Sequence, residues 1–317
     1  MSALKGKLRG LLEYALGLAV IALIVLFFRN EFARNWEKLK TVSLDLEYPF
    51  LTTSFLLILA SYLVNTQAWR FGVNLFATGR EFSFTEGLGM VNTTQLTKYI
   101  PGKVWGYAMQ MILVDKKSVS SSVVLYVNLF LALSNVFVSL LVGGAYLATS
   151  SFLLPRHLSI LIVCALVVAY SFFLLLNNKF FAFFVRIAEL LLKKKIAFCD
   201  IGLADIARLQ AFTIVNVALF GLSALFCYLG LGFSDPSALA FCMMAGLILA
   251  DAVGFLVVFV PGGIGVREGL LYLILRERGA ESLALILPVA LRILSMLVDA
   301  ALGVIGLAYL KRYKKKA

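Results

Sequence analysis

The stretch VFVPGGIGVREG (residues 258–269) sets a Pro-Gly pair inside a long apolar run and follows it with small residues and a basic side chain. A shorter counterpart, KYIPGKVWGY (residues 98–107), has the same arrangement in the first half of the chain. Proline lacks a backbone donor and clashes with the preceding helical turn, while glycine widens the allowed φ range, so each pair interrupts a helix. In hydrocarbon an interrupted backbone survives only where protein or a water-filled cavity surrounds it, because each unpaired N–H or C=O costs several kcal/mol. Two such breaks predict two walls of a cavity.

The rest of the chain supplies the hydrocarbon setting. Of 317 residues, 62% are hydrophobic and 15% charged, against about 45–50% and about 25% in soluble domains. The expected fold class is an all-α polytopic membrane protein with six full spans plus two re-entrant broken-helix hairpins, about eight membrane segments in all. Apolar runs at 11–28, 50–69, 123–148, 158–176, 211–231 and 283–310 are the six spans, each of a length suited to a hydrocarbon core of about 30 Å. Residues 84–114 are too polar and interrupted for one lipid-facing helix, since Glu86, Asn92, Gln95, Lys98 and Lys103 surround Pro101. They read as two half-helices that enter and leave on one side, or as two short spans with the same parity.

Placing Pro101 on Pro261, 160 positions later, brings the run at 51–71 onto 211–231 and that at 123–148 onto 283–308. The match implies a duplicated unit, and the parity of the spans makes the two copies opposite in sense, an inverted-topology repeat. Four divisions follow: 1–49, an anchor span and outer loop; 50–149, the first repeat with its hairpin at Pro101; 150–209, a span and a cytoplasmic interfacial linker; and 210–317, the second repeat with its hairpin at Pro261 and a basic tail. In the linker, Phe180, Phe183, Phe184, Ile187 and Leu191 share one helical face, suiting a helix that lies in the inner interface. The net charge of +12 gathers at segment ends such as Lys5, Lys7 and Arg9, residues 193–195 and residues 311–316. Basic residues in those places keep segment ends cytoplasmic, so both termini are expected there.

The same distribution argues against nucleic acid, because no basic face carries interleaved aromatics. Residues 27–30, Phe-Phe-Arg-Asn, offer no small-residue cleavage site after the first run, which therefore reads as an uncleaved span. Cys164, Cys199, Cys227 and Cys242 lack metal-like spacing, and the single histidine, His157, sits at a water boundary. No metal, no cofactor, no catalytic residue and no enzyme activity are expected. No GxxxxGK[ST] loop is present, which disfavours an ATP-driven pump.

After each Pro-Gly a half-helix starts inside the membrane, with free N–H groups and about half a positive charge at its N-terminus. Gly262, Gly263 and Gly265 allow the backbone close to an anion, and Lys103 and Arg267 add full charge beside the two breaks. Lys98, Glu268 and Arg292 complete the candidate substrate-binding set. Snorkelling to the interface is the plainer reading of Lys103 and Arg267, whereas Arg292 within the last span requires a partner or a cavity. Glu86, Asp251 and Asp299 read as structural counter-ions, as proton carriers for coupled transport, or as contacts to a cationic headgroup. Asn128 and Asn135, on one face of the third long run, suit hydrogen bonding between helices.

Together, YIPGKVWG in one half and VPGGIGVREG in the other resemble the transmembrane region of the lysylphosphatidylglycerol synthase family, also called the flippase domain of the multiple peptide resistance factor. The likeness covers roughly residues 50–310, and the PGGxGxRE motif is fairly specific. Single-domain relatives in that family occur beside lipid-modifying, hopanoid and polyprenyl-phosphate glycosyltransferase systems. The resemblance implies an inner-membrane lipid flippase that moves an anionic phospholipid or polyprenyl-phosphate-linked headgroup. Its alternative is a non-catalytic membrane partner of a polyprenyl-phosphate glycosyltransferase or lipid-modifying enzyme. No aminoacyl-transfer domain lies within these residues, so lysine transfer is not implied.

Overall fold

A computed structural model describes residues 45–77, 81–99, 105–114, 119–149, 155–179, 181–182, 186, 200–233, 239–257 and 260–314. The first apolar run, the Pro101 and Lys103 positions, most of the interfacial linker and the last three residues lie outside the described residues. Those described hold nine α-helices, two short 3₁₀ turns and no strand. They are α1 (Tyr48–Asn74), α2 (Phe84–Gln95), a 3₁₀ turn at Leu96–Tyr99, α3 (Trp105–Leu113), α4 (Ser121–Thr149), α5 (Arg156–Leu175), α6 (Leu203–Gly230), α7 (Ala240–Leu256), a second 3₁₀ turn at Pro261–Gly263, α8 (Val266–Glu277) and α9 (Glu281–Lys314).

Five of these, α1, α4, α5, α6 and α9, are long and apolar enough to cross a bilayer. They fall on the five expected spans that the structure describes. The helices beside the breaks are shorter: α2 and α8 have 12 residues each and α3 has nine, too few to cross about 30 Å at 1.5 Å per residue. The chain is a polytopic membrane protein. Pro49 stands in the first turn of α1, where a backbone donor has no helical acceptor to lose. Ser83 caps α2, its hydroxyl accepting from the Glu86 N–H at 3.3 Å while the Glu86 carboxylate accepts from the Ser83 N–H at 2.8 Å.

Helix α1 packs along α6 in antiparallel sense. The Glu47 N–H donates to the Gly230 carbonyl at 3.1 Å at one end, the Ser54 hydroxyl to the Ser223 carbonyl at 2.8 Å further in, and Phe71 meets Phe212 towards the other end. Outside this central pair, α2 runs against α9 and α7 against α4. Small residues bring these backbones together, as they do between helices in lipid, where there is no hydrophobic force to gather them. A Cβ on Gly143 would lie 2.6 Å from the Leu249 Cβ, and one on Gly303 would lie 2.7 Å from Leu96.

Two apolar clusters flank the α1–α6 pair. One gathers Met243, Leu247, Leu271, Ile274, Leu275 and Leu285 from α7, α8 and α9. The other centres on Trp69, Val127, Phe130 and Leu209, with Phe130 stacked on Phe173 of α5 at 5.5 Å. Outward faces are equally apolar, with Leu161, Val168 and Phe172 of α5 and Ile293, Leu297 and Val304 of α9 all exposed. Such faces suit contact with acyl chains.

Gly143→Ala is expected to lower stability in detergent by about 1–3 kcal/mol through overpacking of α4 on α7, read as a fall in Tm. Gly269, with nothing within 4 Å of an added Cβ, is the control; equal melting of Gly143→Ala and Gly269→Ala would contradict the close contact.

Candidate functional site

Backbone geometry at the second break comes directly from its glycines. Gly262, Gly263 and Gly265 have φ of 58°, 65° and 79°, in the left-handed region that costs side-chain-bearing residues about 1 kcal/mol or more. Gly263 also leaves no room: a Cβ there would lie 3.0 Å from the Gly254 carbonyl oxygen of α7. The exposed polar groups of the break are taken up by side chains. The Glu268 carboxylate accepts from the Gly265 N–H at the start of α8, and the Arg292 guanidinium of α9 donates to the Gly262 carbonyl at 3.2 Å. Glu268 and Arg292 also form an ion pair with each other, at 3.6 Å.

The 3₁₀ turns on either side, Leu96–Tyr99 and Pro261–Gly263, touch each other. Between them and the long helices lies a chamber of about 290 Å³ that reaches both turns, lined by Thr97 and Lys98 from the first and by Gly262, Gly263 and Arg267 from the second. Asp251 and Arg292 also line it. Its charges are arranged in pairs. Lys98 Nζ lies 2.7 Å from the Asp299 carboxylate, and Arg267 Nη1 lies 3.1 Å from Asp251 Oδ1. The Arg267 guanidinium further covers the Phe220 ring at 5.0 Å, and its Nη2 has no acceptor among the described residues. Arg267 and Glu268 are buried, whereas Asp251 is half exposed to the chamber's open side.

Of the residues singled out in sequence, the structure therefore brings Lys98, Gly262, Gly263, Arg267, Arg292 and Asp251 onto one chamber, with Glu268 and Asp299 directly behind as ion-pair partners. Gly265 holds Glu268 rather than lining the chamber. Lys103 lies outside the described residues. Glu86 is set apart from the others: its carboxylate is occupied in capping α2 with the Ser83 N–H and hydroxyl, and it does not reach the chamber. Asp299 and Arg292 lie two turns apart on one helix face; Asp299 meets Lys98 and Arg292 meets Glu268.

Sequence reasoning noted Asn92 and Gln95 only as polar interruptions and Asn128 and Asn135 as helix-to-helix hydrogen bonders, which they are, and it did not gather them with Asn65, Gln110 and Asn216 into one wall. Asn65, Asn92, Gln95, Gln110, Asn128 and Asn216 all line the chamber, with Trp69 and Tyr107 among them. Several are linked across helices: Asn92 donates to Thr66 at 3.0 Å, Asn128 to Gln110 at 2.7 Å, and Asn216 to Asn135 at 2.9 Å. The available signal was a side-chain amide within an otherwise apolar run, which is costly in hydrocarbon unless it faces protein or water. Among the described residues no group of three or more His, Cys, Asp or Glu is arranged to hold a metal ion.

Comparison with known families matches residues 14–303 to the lysylphosphatidylglycerol synthase TM region. The chain belongs to that family. No curated protein and no solved structure matches it. Membership in the lysylphosphatidylglycerol synthase TM-region family ties the chain to membrane-lipid function, and in this member the chamber lies against the turn at Leu96–Tyr99 and the break at Pro261–Gly263.

Removing one partner of a buried pair leaves the other charge uncompensated, at a cost of about 3–5 kcal/mol. Asp299→Asn is expected to destabilise this family member by about the lower of those values, since Lys98 keeps some access to solvent. In a cycle with Lys98→Met the two changes should couple by about 1–3 kcal/mol, measured by thermal unfolding in detergent. Strict additivity would show that the pair is not formed.

Proposed function

We propose that this protein is a lipid flippase, moving the headgroup of an anionic phospholipid or polyprenyl-phosphate-linked lipid through the chamber while its chains stay in the bilayer. The observation that carries the reading is one partly open chamber that borders the turn at Leu96–Tyr99 and the break at Pro261–Gly263 and bears Lys98, Arg267 and Arg292. Three cations at the break points give charge-assisted donors for a phosphate, and Arg267 retains an Nη2 donor with no acceptor among the described residues. The start of α8 adds the positive end of a helix dipole.

On this reading the helix–break–helix segments are re-entrant hairpins, and the chain is an inverted repeat in the inner membrane with both termini cytoplasmic. Support comes from the helix pairing. Exchanging the two halves carries α1 onto α6, α2 onto α7 and α4 onto α9, and it carries the α2–α9 contact onto the α7–α4 contact. The antiparallel α1–α6 pair maps onto itself under the same exchange. Two such halves can rock about their common seam and open the chamber to either side in turn. The protein acts as a carrier and not as an enzyme, and it needs no cofactor.

Purified protein in liposomes is expected to move labelled anionic lipid between leaflets, with Arg267→Ala slowing movement at least about tenfold, the equivalent of about 1.4 kcal/mol. Absence of movement with folded protein, together with co-purification of a glycosyltransferase or lipid-modifying enzyme, would replace this reading with that of a non-catalytic membrane partner. Cysteines placed one at a time at 150–154, between α4 and α5, and at 278–280, between α8 and α9, and probed with an impermeant thiol reagent should both label from outside. Labelling from opposite sides would overturn the inverted arrangement.

A further inference from the structure

We infer that the headgroup taken into the chamber is a phosphate-linked polyol, with several hydroxyls, and that the two sides of the chamber divide it: charged groups hold the phosphate and an amide wall holds the hydroxyls. This rests on the proposed carrier reading and narrows its substrate. Among the described residues, the chamber's charges apart from Lys98 come from α7, α8 and α9, as Asp251, Arg267 and Arg292. The described residues of α1 to α4 and α6 that line it are neutral and amide-rich.

An amide offers two N–H donors and two acceptor lone pairs. A hydroxyl also donates and accepts, so it can use both ends. A bare phosphate only accepts, an ammonium only donates, and either would leave half of each amide idle. Bonding between helices accounts for part of the wall, as in the pairs Asn128–Gln110 and Asn216–Asn135. It does not account for Asn65 and Gln95, which line the chamber and make no side-chain hydrogen bond with the described residues. Nor does it use the carbonyl oxygens of Asn92, Asn128 and Asn216, whose bonds to described residues are all donated.

Two further observations agree. Trp69 lines the same side, is almost wholly buried, and has an indole N–H with no acceptor among the described residues; buried indoles ordinarily find one. Each carboxylate already faces a resident cation, Asp299 with Lys98, Glu268 with Arg292 and Asp251 with Arg267, so an aminoacyl or ethanolamine ammonium would have to share its counter-ion here. The chamber's 290 Å³ corresponds to on the order of ten waters, space for a headgroup but not for acyl chains.

The test titrates the full-length protein in detergent with short-chain phosphatidylinositol, phosphatidic acid and phosphatidylethanolamine, read by intrinsic tryptophan fluorescence. Phosphatidylinositol should bind at least tenfold tighter than the other two. Asn65→Leu or, separately, Gln95→Leu should remove most of that preference while phosphatidic acid binding stays the same; Arg267→Ala should weaken both anionic lipids. Equal affinity of the wild-type protein for phosphatidylinositol and phosphatidic acid would overturn the inference, as would a loss of both in Asn65→Leu. Free inositol 1-phosphate binding as tightly as the lipid would assign the site to a soluble solute and overturn the lipid clause. Liposomes separate this from the carrier reading: preference in binding without leaflet exchange removes the carrier and keeps the site, while exchange without preference keeps the carrier and removes the amide assignment.

Discussion

A backbone that stops being helical inside a low-dielectric slab must find new partners for its N–H and C=O groups, and much of this molecule follows from that demand. At Pro261–Gly263 the partners are ionised side chains. Arg292 reaches from α9 to the Gly262 carbonyl, and Glu268 turns back to the Gly265 N–H. Ionised groups in that setting need neutralising in turn, so Glu268 and Arg292 are also each other's counter-ion. Beside the first turn, the Thr97 hydroxyl donates to the Thr94 carbonyl at 2.7 Å, and Gln110 of α3 donates to the Thr94 hydroxyl at 2.9 Å. Among the described residues the chamber's charges gather mostly on α7, α8 and α9, with Lys98 on the opposite turn, and its amides on α1 to α4 and α6.

Local effects were legible in the sequence and distant ones were not. Proline and glycine act on their own backbone, so the interruption at Pro261–Gly263 could be placed from its motif. Hydropathy over some twenty residues locates a span whatever its neighbours, and five described helices stand where it puts them. The ion pairs are another matter. Lys98 and Asp299 are 201 positions apart, and nothing in the local pattern of either says that α2 and α9 run side by side. Glu86 shows the opposite failure, for a buried carboxylate in an apolar protein invites a functional reading, yet Ser83 three residues before it was the local sign of a cap.

The amide wall was hidden for a physical reason. In a soluble protein the polar face of a helix looks outward and its periodicity marks the core. Here lipid and core are both apolar, so α1, α4 and α6 carry almost no periodic signal, and the faces that turn inward are marked only by scattered side chains such as Asn65, Asn128 and Asn216. Which of these share a space depends on the antiparallel seam between α1 and α6, itself made of small contacts such as Ser54 on Ser223 that hydropathy does not register.

The resident carboxylates have one more consequence. A naked arginine in so dry a place would grip any phosphate and be slow to let go, and a carrier that cannot release does not turn over. With Asp251 already beside Arg267 and Asp299 beside Lys98, an arriving anion gains only the difference between itself and the incumbent it dislodges. On the proposed carrier reading, the protein's own acids would act as standing rivals of the cargo, returning to their places as it leaves and keeping the grip weak enough to be undone on the far side.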